Sequence, residues 1–152
     1  MSAKLSRRKL IAAMAVLAAG TILAACTSTG QMYGMSHEQH VTLSGANEVP
    51  PVSTSATGTA TVTINPDRTV FAKVSVTGMT ATASHIHEGP TGIIGKVIVP
   101  FTKTGDNTFE SAPGAMLTES QYASYKAGNL YVNVHSAAHP VGEIRSPQLK
   151  GG

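Results

Sequence analysis

The sequence predicts an all-β protein: an antiparallel, Greek-key-like sandwich or flattened barrel with one short helix, preceded by a cleaved signal peptide. Three observations carry that prediction. Apolar residues alternate with Thr and Ser over much of the chain, Gly- and Pro-rich punctuation recurs between the alternating runs, and one segment alone has helical spacing with caps. Charged residues make up only 12% of the 152, a composition closer to an extracytoplasmic β protein than to a helical enzyme.

The first 25 residues stand apart. Lys4, Arg7, Arg8 and Lys9 form a positive stretch, followed by a nearly unbroken apolar run through residue 25 that is too short for a comfortable membrane span. The run ends in Leu23-Ala24-Ala25-Cys26, which resembles a bacterial lipobox, so residues 1–25 read as a lipoprotein signal peptide and Cys26 as the lipidated residue. Ser6-Arg7-Arg8 with Leu10-Ile11 also resembles a twin-arginine export signal; ordinary Sec export stays open beside it. Without the leader, 7 cations face 8 anions, so the basic balance belongs to targeting and no nucleic-acid partner is expected. The expected location is the bacterial cell envelope, on the periplasmic or outer-membrane side, with the membrane reached through Cys26. Cys26 is the one Cys of the chain, so the fold must hold without a disulfide.

Residues 26–39 read as the lipidated Cys and a polar tether, and residues 40–150 as one domain. Period-two alternation starts at Val41. Ala60, Val62 and Ile64 alternate with Thr, and Val70, Ala72, Val74 and Val76 alternate with Phe71, Lys73 and Ser75; Asn65-Pro66-Asp67-Arg68 between them makes a turn, so the pair reads as a hairpin. Further strands are expected over residues 83–87, 96–101, 130–135 and 142–148. Thr118-Glu119-Ser120-Gln121 has capping-box form, Tyr122 and Tyr125 follow at helical spacing, and Gly128 ends the helix.

The candidate chemistry lies in six histidines. His85 and His87 flank Ile86, and residues two apart on a strand share one face about 6.5–7 Å apart at Cα. Ile86, Val132 and Val134 are expected inward, which leaves His85, His87, Tyr131, Asn133 and His135 on the other face. If the two strands are neighbours, His85, His87 and His135 gather on one outward patch, with His139 a fourth candidate from the following turn. An all-nitrogen set suits copper, zinc or nickel, with copper foremost, and does not suit calcium or magnesium. The alternative is that the imidazoles are structural and bond neighbouring carbonyls or carboxylates. Met32, Met35, His37 and His40 form a separate run of thioether and imidazole donors, read as an auxiliary copper site in the tether.

Three segments together resemble a known family. Leu43-Ser44-Gly45-Ala46-Asn47-Glu48-Val49-Pro50-Pro51-Val52 resembles the opening of the CHRD (chordin-type) domain, and Ser84-His85-Ile86-His87-Glu88-Gly89-Pro90-Thr91-Gly92 its middle motif. Its closing motif is matched by Gly128-Asn129-Leu130-Tyr131-Val132-Asn133-Val134-His135 and Pro140-Val141-Gly142-Glu143-Ile144-Arg145. The resemblance implies a compact β domain, in a family to which no general activity is firmly assigned. In it, the prolines at 50 and 51 are expected to leave the sheet and cover an edge. A fainter similarity, to the first copper strand of Cu/Zn superoxide dismutase, is confined to His85-Ile86-His87-Glu88; no His lies between His87 and His135 to form a zinc loop.

Three functions follow as alternatives. One is a lipid-anchored module that binds a transition metal, copper foremost, for buffering or for exchange with a metal-donor or acceptor protein. Another is a non-catalytic module that binds a protein or envelope polymer. The last is a dismutase-like copper oxidoreductase. Nucleophile and phosphate-loop chemistry find no motif: Gly89-Pro90-Thr91-Gly92-Ile93-Ile94-Gly95 lacks the Lys-Ser/Thr ending and opens no helix.

Overall fold

A computed structural model describes residues 36–151. The leader, Cys26, Met32 and Met35 lie outside the described residues. Eight strands form a closed antiparallel barrel: β1 (His37–Ser44), β2 (Thr57–Ile64), β3 (Val70–Thr77), β4 (Ala81–Glu88), β5 (Lys96–Gly105), β6 (Thr108–Ser111), β7 (Leu130–Ser136) and β8 (Ile144–Arg145). Around the barrel the order is β1-β2-β3-β6-β5-β4-β7-β8. The step from β3 to β4 therefore passes over the β5–β6 hairpin, and β8 closes onto β1 through Ser44 and Arg145.

Alternation dictates which side chains fill the interior. Val62, Val70, Val74, Ile86, Val132, Val134 and Ile144 are buried in the core, while the Thr residues of β2 and the Phe71, Lys73 and Ser75 positions of β3 face outward. The β2–β3 hairpin turns where expected. Asn65 O accepts from Arg68 N at 2.8 Å, Arg68 takes a positive φ of 72°, and Asp67 Oδ1 accepts from Thr69. The single α-helix among the described residues, α1 (Glu119–Lys126), has its capping box formed in both directions between Thr118 and Gln121, and Gly128 follows with φ 72°. Its Tyr125 is buried against the barrel, where its hydroxyl accepts from Gln39 Nε2.

Four expectations need correcting. β1 begins at His37, so the domain starts inside the segment read as tether: His37 pairs with Ile64 and His40 with Thr61. β5 extends to Gly105, and β6 is a further strand of four residues, too short to show a period. The span 142–148 follows β7 by hydrogen bonds from Glu143, Ser146 and Leu149 but is regular only at β8, because Ser146 Oγ takes the Val132 N–H and Pro147 has none to give. Finally, residues 47–51 cover no edge, since the barrel is closed. They lie instead over the outer face of β7 and β8, where Asn47 Nδ2 donates to Arg145 O and Asn133 Nδ2 to Glu48 Oε1.

Candidate metal centre

The β4–β7 register sets the site. His85 lies opposite Asn133 and His87 opposite Tyr131, while His135 stands opposite Ala83, one diagonal step from His85. Ile86, Val132 and Val134 are fully buried inside, so His85, His87, Tyr131, Asn133 and His135 share the outer face, with Arg145 beside Asn133 on β8. The three imidazoles meet as expected. Each offers a ligand nitrogen within 4.8 Å of the other two. Ring centroids lie 4.9 Å apart for His85–His135, 5.6 Å for His85–His87 and 5.9 Å for His87–His135.

The patch is not open, as the sequence alone suggested. His87 is 6% and His135 9% exposed, and only His85 is half-buried. Two loops cover the face. The one following β4 brings the Gly95 carbonyl to His87 Nδ1 at 3.0 Å, and the one following β7 brings the Pro140 carbonyl to His135 Nδ1 at 3.0 Å. A carbonyl can only accept, so both Nδ1 atoms carry the hydrogen and both Nε2 atoms present lone pairs. His135 Nε2 then accepts from His85 Nδ1 at 3.1 Å. His87 Nε2 is buried with no hydrogen-bond partner.

Electrostatics keep the rings neutral. Burial, reinforced by the neighbouring His135 and His87, pushes His85 down to about 4; burial lowers His87 and His135 as well, against the opposing pull of their carbonyl acceptors. Tyr131 braces the group: its ring stacks on His87 at 5.1 Å, its hydroxyl accepts from Gly95 N at 2.9 Å, and the Arg145 guanidinium lies 3.3 Å over its other face.

Other expected ligands lie elsewhere. His139 is in the loop after β7, its backbone N bonded to Ser136 Oγ, and is not one of the three converging residues. His40 bonds Thr61 Oγ1 and Glu38. His37 and His40 are three apart on β1 and so face opposite sides of the sheet, which prevents the strand from presenting both to one ion as a tether could.

Sequence reasoning missed Glu48. Glu48 is 8% exposed, and burial raises its pKa despite the opposing effects of Arg145, the Val49 N–H and Asn133. The carbonyls of Gly95 and Pro140 were equally invisible, being backbone atoms that any residue could supply.

A family model for the CHRD domain matches residues 40–147. The chain belongs to the CHRD-domain family. Comparison with curated proteins and with solved structures gives no match. In this CHRD domain the opening motif contributes Glu48, the middle motif His85 and His87, and the closing motif Tyr131, Asn133, His135 and Arg145. All three motifs thus converge on one face of the barrel.

Proposed function

We propose that this CHRD domain is a binding module for a divalent transition metal, copper first and zinc second, anchored to the cell envelope through Cys26. The ion is buffered there or passed to and from a partner protein. His87 Nε2 and His135 Nε2 are ligands as they stand, and His85 Nδ1 is the third once its hydrogen shifts to Nε2 and the His85–His135 hydrogen bond gives way to the ion. The observation that carries this reading is the buried, unpartnered His87 Nε2, whose lone pair is held in place by the Nδ1–H bond to Gly95. An orphaned acceptor in a dry site is costly, and a cation removes the cost. Metal-bound His usually donates its other ring N–H to a carbonyl or carboxylate, which is what His87 and His135 do here. With metal–nitrogen bonds of about 2.0–2.1 Å, the 3.1 Å gap between His85 Nδ1 and His135 Nε2 subtends roughly 95–102°, between the square-planar and tetrahedral angles.

Titrating the full chain with Cu(II) and with Zn(II) against a competing chelator tests the reading. The expected result is one saturable site, weakened about a hundredfold or more in a His85→Ala/His87→Ala double variant; equal affinity in the two proteins refutes it. Anchoring is tested separately, because Cys26→Ser moves the protein from the membrane fraction to the soluble fraction if the lipid is attached there.

A second reading, an interaction module with structural histidines, is favoured by the exposed Ile93, Ile94 and Val141 on the loops that cover the site. It remains if the titration shows no bound metal.

A further inference from the structure

Arg145 is a buried cation with no carboxylate in ion-pair contact, Glu48 acting on it only from farther away. It is 3% exposed, and among the described residues no carboxylate oxygen lies within 4.0 Å of it. One guanidinium nitrogen donates to Ile93 O at 3.1 Å, and the plane rests on Tyr131. The nearest acidic influence is Glu48, whose carboxyl is turned to Asn133 and makes no direct contact with the guanidinium. A desolvated guanidinium facing only a carbonyl and a ring is under-compensated, since both are weaker partners than an anion.

Beside it lies a cleft of about 410 Å³. Lys150 lines it as a second cation, Thr91, Ser146 and Asn47 line it as polar groups, and no carboxylate lines it. Lys150 and Thr91 are exposed, so their polar ends are available to an incoming group. Two cationic residues among the lining of one cleft, with no acidic residue in that lining, raise the local concentration of anions. Arg presents a planar fork that suits carboxylate and phosphate alike.

We propose that this cleft binds a small oxyanion-bearing molecule, a carboxylate or a phosphate ester, whose anionic group becomes the counter-ion of Arg145 and Lys150. The cleft leaves room for an organic part beside the anionic group. The site is separate from the metal centre and does not depend on it, although Arg145 and His87 flank the same Tyr131 ring.

The test is calorimetric titration of the full chain, stripped of metal on a chelating resin, in low-chloride buffer. Gluconate supplies the carboxylate arm and glucose 6-phosphate the phosphate-ester arm, with glucose as the neutral control. Saturable binding of either anion and none of glucose is expected, and the stronger arm identifies the source. Lys150→Met, at an exposed position that leaves the fold intact, weakens binding about tenfold; Arg145→Lys, which keeps the charge and loses the fork, weakens it at least as much. Absence of binding by both anions overturns the proposal. So does equal binding of glucose, or unchanged affinity in the Lys150→Met variant.

Discussion

Replacing Tyr131 by Phe removes one oxygen and nothing else from a wall of the site. The hydroxyl accepts the Gly95 N–H at 2.9 Å, and the carbonyl of the same Gly95 accepts His87 Nδ1–H at 3.0 Å. The ring stays, so the stacking on His87 and the contact with Arg145 persist. The unpaired N–H left behind costs about 1–3 kcal/mol, and each kcal/mol is worth roughly 4 °C of Tm in a domain of this size. With Gly95 no longer tied down, the carbonyl that fixes the tautomer and ring angle of His87 is held less firmly. A lost orienting partner of this kind typically lowers metal affinity about 10–100-fold. Thermal unfolding of metal-free protein measures the first quantity and chelator competition with Cu(II) the second. If Tm falls while affinity stays within twofold, Gly95 does not orient His87 and the proposed relay is refuted. If neither moves, the Tyr131–Gly95 bond contributes nothing.

The lowered pKa values fix the sign of the pH dependence. Unfolded imidazoles titrate near 6.5, whereas His85 in the fold is held down to about 4, with His87 and His135 lowered too, so the unfolded state binds more protons in between. Metal-free stability is therefore full above about pH 6.5 and is lost as pH falls toward about 4; a urea midpoint that stays flat from pH 7 to 5 sinks this account. Because proton competition at His85 is displaced downward, Cu(II) affinity at pH 5 should fall by much less than the about 25-fold that one ordinary imidazole imposes between pH 7 and 5. His139→Ala should leave affinity within about twofold, since His139 is not among the converging residues; a tenfold loss would restore it as a ligand.

Much of the barrel was legible because period-two alternation is a local signal. Ile86 between two histidines, and Val132 and Val134 around Asn133, were enough to assign faces on β4 and β7, and the three-His meeting followed from that assignment. Closure was not legible. The β8–β1 contact joins Arg145 to Ser44 across the length of the domain, and β3–β6 pairing rests on three residue pairs. Neither leaves a periodic trace. His37 was misread because two Met, a Gly and polar residues around it look like a tether, whereas pairing with the apolar β2 draws the strand out to Ile64. Glu48 had no signal at all: an acidic residue before two prolines reads as a surface loop until Asn133 is seen behind it.

The outer face of a barrel strand normally meets water, and a metal site there would be shallow. Here glycines let backbone close over it. Gly142, with φ 149°, passes so near Asn133 and Glu48 that a Cβ would lie 2.6 Å from Asn133 Nδ2 and 2.8 Å from Glu48 Oε1. At Gly95 a Cβ would collide with the Glu88 carbonyl. Glu143 then fastens the cover, accepting from Thr54 Oγ1 at 2.7 Å and from Ser136 Oγ, bonds that outweigh burial and hold its carboxylate in the charged form. The histidines consequently sit in a dry layer outside a separate apolar core. Side chains in that layer can be exchanged without opening the interior, because Ile86, Val132 and Val134 pack on the opposite side of the same strands. Burial depresses the imidazoles and leaves His87 Nε2 without a protein hydrogen-bond partner. Fold and site are thus coupled through two loops, and a perturbation of either loop should register at the histidines before it registers in the barrel.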